Sequence, residues 1–199
     1  MYDGPDCSIK DCKNKAISLA DTCYSHLKNK QIYIDKLKNY LKKNTILKNL
    51  ELSCIELENV NLSGKEFYLS NISGASFKGV KFTKSKMRLV FFDFCNFLDC
   101  DFQNSNIKES VFSGAELKKC NFKDSEIQRC NFDGTKCYDT SFSDSDLYSS
   151  RFIAAELEKI EFDDCNIKRA YFQNSILKEV NFHCSNVEDA YFEGAKQKL

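Results

Sequence analysis

The residues best suited to chemistry lie at the start of the chain. Cys7 and Cys12 are separated by four residues, Cys23 and His26 by two, and ten residues lie between the pairs. Thiolate sulfur and imidazole nitrogen are the usual donors to Zn²⁺, which takes four ligands in a tetrahedron, and three Cys with one His is a standard structural set. Two short-spaced pairs joined by a flexible polar loop can each reach one ion. The competing reading is a set of unliganded thiols beside an ordinary His; the spacing favours zinc. With all four positions filled by protein, the ion would be structural, with no open position for catalysis.

The rest of the inventory holds no catalytic constellation. The second of the two histidines, His183, follows a large apolar residue at an outward position. Phosphate-binding loops, dinucleotide fingerprints and nucleophile motifs are missing. Asp and Glu are abundant but decorate outward positions, so the reading is a non-enzymatic protein with no small-molecule substrate. The eleven cysteines are an odd number, so at least one is unpaired. The first fifteen residues are polar, unlike a secretory leader, and no apolar run approaches the roughly 18 residues a membrane span needs. A soluble cytoplasmic protein with mostly reduced thiols is the expectation. Twenty-nine basic and 29 acidic residues balance, but unevenly along the chain. Residues 1–49 carry ten Lys against five Asp, and the remainder is net acidic.

Three segments must position these groups. Residues 1–26 hold the metal ligands. Residues 27–44 have Leu27, Ile34, Leu37 and Leu41 at helical spacing with lysines over much of the rest, which predicts an amphipathic helix ending near Asn44. Its lysines read as a solvated face. Residues 45–199 follow a period of five. From Leu52 to Phe192 every fifth residue is apolar, mostly Phe, Leu or Ile, with Cys137 the one departure in type. Two residues before each centre stands a small or β-branched residue, such as Ala75, Val90, Ser125 or Cys130. A helix would smear a five-residue period around its axis. On an extended chain, residues two apart share a face, so the small residue and the centre both point inward. The two polar residues after each centre form a corner, where Asn104, Gly114, Asp124, Gly134 and Asp144 suit a turn. Sorting the centres by twenty separates two Phe columns from two mainly aliphatic ones, which predicts four sides per coil.

This frame closely resembles the pentapeptide-repeat family over about three quarters of the chain. The resemblance implies an all-β solenoid, a right-handed quadrilateral β-helix, here of about seven coils and roughly 35 Å long at strand spacing. The N-terminal pairs resemble short Cys₃His zinc-binding segments at the edges of some bacterial and phage proteins. The helix is expected to cover the first coil's open edge. Cys95, Cys100, Cys120, Cys130 and Cys165 take the small inward position and read as small buried hydrophobes; Cys100 and Cys120 share a column. Cys54 and Cys184 read as exposed thiols. Lys65 breaks the inward rule, by snorkelling or because the first coil is irregular.

A rigid rod with polar faces reads as a module for a protein partner. The alternative comes from the family resemblance: some members protect or inhibit DNA gyrase as DNA mimics. The candidate surface residues are the acidic Asp139, Asp144, Asp146, Asp163 and Asp164 and the basic Lys78, Lys81, Lys84, Lys86 and Arg88. Residues 139–164 have a net charge of −6, whereas the early coils are basic. The gyrase-acting relatives typically carry loop insertions and a C-terminal dimerisation helix, for which this sequence has no counterpart. The frame runs nearly to Leu199 with no capping element. Either the coils stack end to end with another copy or the natural chain continues.

Overall fold

The computed structural model describes residues 4–198. Its body is a parallel β-solenoid of about eight turns. The extra turn relative to expectation comes from the frame's ends: the ladder already includes Ile46–Lys48 and continues to Lys196–Lys198. Every rung pairs residues twenty apart. Leu47 lies beside Phe67, Phe77 beside Phe97, and Leu157 beside Leu177. Four pentads therefore close one turn. We number the outer faces I to IV by the centres Leu52, Leu57, Leu62 and Phe67. Faces II and IV carry the continuous ladders of eight and five strands. Faces I and III are joined mainly by single bridges, such as Phe91 to Val111 and Lys81 to Asp101.

The corners explain the period physically. The residue two after each centre has positive φ at every corner from Asn49 to Cys184. Beyond the expected Asn, Asp and Gly, this conformation is imposed on Leu69, Leu89, Phe94, Glu109 and Arg129. Side chains with a Cβ pay for this region, so the ladder must hold them there. It does: each such corner N–H donates to the next turn, as from Asp124 to the Ser143 carbonyl at 3.1 Å.

The centres fill the axis. Phe112, Phe132 and Phe152 stack at 4.7–4.8 Å with nearly parallel rings. Phe102, Phe122 and Phe142 stack on the opposite side at 4.4–4.8 Å. The two columns meet edge to face, Phe122 against Phe132 at 89°. Each ring thus gains both favoured aromatic geometries. In the early turns, Phe67, Phe77 and Phe97 also enter the intervening columns, which are aliphatic further on.

The small inward position does more than save space. The thiols of Cys95, Cys130 and Cys165 donate to backbone carbonyls of the preceding turn at 3.1, 3.3 and 2.9 Å. Ser125 and Ser145 do the same at 2.9 and 2.8 Å. A short donor side chain adds a partner to a buried carbonyl; two of these carbonyls, Ile72 and Phe102, also accept from the Ala75 and Ser105 amides. Burial pushes the thiols of Cys95, Cys130, Cys137 and Cys165 up to about 12.

The expected helix, α1, spans Lys30–Lys43. It starts three residues later than the apolar spacing suggests, because the Asn29 side chain accepts from the Ile32 amide and caps the first turn. Leu27 instead closes a short 3₁₀ turn, Tyr24–His26. Tyr33, Ile34, Leu37 and Leu41 are buried in the core that continues into the solenoid. Lys65 accounts for its own exception: its ammonium donates to the carbonyls of Asn44 and Lys42 at 2.8 and 3.3 Å. A cation there neutralises the negative end of α1.

Candidate metal centre and outer faces

Residues 5–26 fold back on themselves through a bridge between Asp6 and Lys15. Asp11 and Leu19 take positive φ in the two turns that follow. Their carbonyls and amides close locally: Cys12 donates to Ile9 at 3.2 Å and Ile17 to Thr22 at 3.0 Å. The result brings Cys7, Cys12, Cys23 and His26 together, with all ligand atoms within 4.8 Å of one another. Cys12 Sγ lies 3.9 Å from Cys23 Sγ, and His26 Nδ1 lies 3.4 Å from both Cys7 Sγ and Cys23 Sγ. Tetrahedral ligands at zinc distances stand about 3.8 Å apart for two sulfurs and about 3.6 Å for sulfur and nitrogen. The donor set and these edges fit one metal ion.

The surroundings favour the thiolate at two of the three cysteines. Burial pushes Cys7 up, but backbone hydrogen bonds from Cys23 and Ile9 outweigh it and bring the thiol below its ordinary value. Burial likewise raises Cys23, and the Ser25 hydroxyl, 3.1 Å from its sulfur, with the His26 amide, more than offsets it. Cys12 goes the other way. The Asn14 amide lowers it, but burial and the two neighbouring thiols raise it overall. One thiol thus carries the proton cost of its two neighbours, a cost that a bound cation removes.

This fold-back of residues 5–26, a small knuckle, is joined to the solenoid by hydrogen bonds. The Ser18 amide donates to the Glu51 carbonyl at 2.7 Å, and the Glu51 amide donates back to the Ser18 hydroxyl at 2.9 Å. Ser18 so occupies the rung that a preceding turn would supply. The buried Glu51 carboxylate accepts from the Ser53 amide and from Asn71 Nδ2. Tyr33 donates its hydroxyl to the Ser18 carbonyl at 3.0 Å, and Lys36 reaches the Leu19 carbonyl at 2.6 Å. Lys36 is therefore a tether and not merely part of a solvated face.

The family-model matches follow the same frame. Pentapeptide repeats in eight copies cover residues 51–88 and 95–134, and a pentapeptide repeat region covers 115–192. The chain is a pentapeptide-repeat protein. No curated protein sequence matches it. Among solved structures, this pentapeptide-repeat chain is similar to two trypsin-treated forms of QnrB1, a plasmid-mediated fluoroquinolone resistance protein. One has TM-score 0.56 at 15% identity, covering 77% of this chain and 89% of that one. The other has TM-score 0.51 at 15% identity, covering 77% and 91%. HetL, involved in heterocyst differentiation regulation in Nostoc sp. strain PCC 7120, aligns with TM-score 0.40 at 14% identity over 85% and 97%. At these identities the likeness concerns the fold.

The frame assigns each surface residue to a face. Asp139 lies at the corner between faces II and III, and Asp144 and Asp164 at the next corner, all with positive φ. Asp163 lies on face III between those corners. Asp146 is around the corner on face IV, bridging Glu126 and Asn166. Asp144 pairs with Lys123 at 3.1 Å. The basic set is dispersed. Lys78 is on face II, Lys81 on face III, Lys84 at a corner, and Lys86 and Arg88 on face IV. Lys78, Lys86 and Arg88 pair with Glu58, Glu66 and Glu109 at 2.7, 3.0 and 3.1 Å. Three of these five basic side chains are thus paired with carboxylates on neighbouring turns, and Arg88 shares its partner Glu109 with Arg129.

Sequence reasoning passed over one surface. Leu69, Leu89 and Phe94 occupy corners and are exposed, Phe94 by 70%. The signal was present: bulky apolar residues at a position the frame otherwise gives mostly to polar residues and glycine.

Proposed function

We propose that this pentapeptide-repeat chain is a non-catalytic binding module for a protein partner, with a structural Zn²⁺ held by Cys7, Cys12, Cys23 and His26. The observation that carries the reading is the twenty-residue register, kept on every face until the 3₁₀ turn Val187–Asp189 interrupts face IV in the last turn and leaves Val187, an expected inward centre, exposed. The register fixes outward residues into four faces of different chemistry on a shaft of stacked Phe. Such a shaft has a rigid surface and no reason to hold a substrate in its interior. The organisation we propose is a knuckle over 1–26, a helical cap over 27–44 and a solenoid over 45–199, working in the cytoplasm. The eight cysteines outside the metal set, all unpaired, support a reducing compartment; among the described residues no helix is long and apolar enough to cross a membrane. Zn²⁺ would supply the cross-link that holds the two turns of the knuckle; the residues themselves supply the docking through Ser18, Tyr33 and Lys36. The test is capture of partners by the full chain, followed by face-by-face substitution. Loss of capture on altering one face supports the module, and capture indifferent to all four faces refutes it.

A second reading, a DNA mimic acting on DNA gyrase, is favoured by the fold shared with QnrB1 and by the acid around face III. Broad negative charge is what such a mimic must present. Against it, Asp144 is neutralised by Lys123 and the first 49 residues carry net positive charge. The expected outcome is no inhibition of supercoiling and no protection from gyrase poisons. Salt-sensitive inhibition that disappears in Asp144→Asn/Asp163→Asn/Asp164→Asn would establish the mimic instead.

A further inference from the structure

We propose that the corner carrying Leu69 and Leu89, with the adjoining Phe91 and Phe94, is the docking surface for an acidic, apolar segment of a protein partner. The inference rests on the binding-module reading and names the face and the chemistry.

The first observation is conformational. Leu69, Leu89 and Phe94 have φ of 51°, 55° and 56°. The left-handed region disfavours any side chain with a Cβ, and bulky apolar ones gain nothing local from it, whereas Asn and Asp tolerate it. The same corner positions elsewhere hold mostly polar residues, from Asn49, Asn59 and Asp124 to Lys84, Glu109 and Arg129. The solenoid therefore folds with polar residues there, and folding gives no reason for leucine or phenylalanine. Their burial supplies a reason only in part, since Phe94 is 70% exposed, Leu69 52% and Leu89 37%. An unfavourable backbone state holding exposed apolar side chains is a cost that points to a use.

The second observation is clustering. Leu69 and Leu89 are stacked on successive turns and form the floor of a shallow groove of about 230 Å³ with Lys48, Tyr68 and Arg88. Phe91 follows on face I, and Phe94 stands at its far edge. The Phe94 ring lies against Gly114, where an added Cβ would come within 2.7 Å of it. Phe94 also lines a cleft of about 440 Å³ beneath the knuckle, together with Lys13 and Lys15.

The third observation is charge. The groove's rim is cationic. Lys48 sits over the Tyr68 ring at 5.5 Å, and Arg88 shares Glu109 with Arg129. Two guanidinium groups on one carboxylate leave a net positive charge beside the leucines. An apolar floor with a cationic rim is complementary to leucine- or phenylalanine-type anchors flanked by Asp or Glu.

The test uses the full zinc-loaded chain and displayed random peptides as the probe. Enriched peptides are expected to interleave Asp or Glu with Leu or Phe. Their affinity should fall about tenfold or more in Leu69→Asn/Leu89→Asn, fall in Lys48→Glu, and weaken with salt. Asn suits both corners, so the double variant should melt no lower than the parent, which separates lost binding from lost fold. Enrichment of peptides without acid, equal affinity for the double variant, no enrichment, or preference for single-stranded oligonucleotides would each overturn the proposal. If partner capture survives the double variant and is lost on altering another face, this docking surface is wrong while the module stands.

Discussion

Truncating one ring in the middle of the shaft measures whether the axis carries the stability. Phe122 is fully buried. Its ring stacks on Phe102 at 4.4 Å and on Phe142 at 4.8 Å, and meets Phe112 and Phe132 edge-on at 6.4 Å. Phe122→Ala removes four aromatic contacts at once and leaves a cavity between rings whose backbone is bridged to the turns on either side. The walls cannot collapse, because Phe102 and Phe142 are fixed by backbone rungs 20 residues away on either side. The loss is therefore placed within the usual range for such truncations, about 4 kcal/mol. For a chain of this size that corresponds to a fall in melting temperature of about 8–16 °C. Phe122→Asp should be worse, since it also buries an unpaired charge. The neighbouring Lys123→Ala breaks only an ion pair between two half-exposed groups and should shift melting little. Thermal melts followed by far-UV circular dichroism compare the three. Similar shifts for Phe122→Ala and Lys123→Ala would refute the inward and outward assignment, and with it the reading of the core.

Four further outcomes are expected. Elemental analysis of chelator-free protein should find one zinc per chain, lost in Cys23→Ser, and removing the metal should disorder the knuckle while leaving the solenoid's spectrum intact; zinc that survives loss of Cys23 would overturn the ligand set. A thiol reagent should titrate Cys54 and Cys184 quickly in the native zinc-loaded protein, because they are exposed, and all eleven thiols in denaturant. The same buried thiols set a pH dependence: Cys95, Cys130, Cys137 and Cys165 ionise near 9 when unfolded and near about 12 when folded, so their contribution is complete below pH 9 and is lost as pH rises towards 12, and a melting temperature at pH 10 equal to that at pH 8 would contradict their burial. Lys65→Met should cost about 1 kcal/mol by removing the donor at the end of α1, read as earlier amide exchange in residues 40–44 than in the solenoid; unchanged exchange there would refute the capping role.

Much of this protein is legible along its sequence because a solenoid repeats one local rule. The five-residue period says which side chains face in, the twenty-residue sorting says how many make a turn, and the Phe columns so obtained are the stacks observed. The gathering of Cys7, Cys12, Cys23 and His26 was legible for a related reason: short spacings bring donors together without help from distant chain. Even the pairs Lys78 with Glu58 and Lys178 with Glu158 follow from a twenty-residue offset. What tertiary structure alone decided lies where the repeat meets something else or where one position does two jobs. Ser18 standing in for a missing rung beside Glu51, and Lys65 turning from the core to the end of α1, depend on how the cap sits on the first turn, and no periodicity encodes that. The inward cysteines looked like small hydrophobes, yet their thiols satisfy carbonyls one turn away, which only the stacking of turns brings into reach. The corners looked like turns needing Gly, Asn or Asp. The ladder holds any residue there in the left-handed region, so even Leu69, Leu89 and Phe94 are tolerated by the fold at exposed corners.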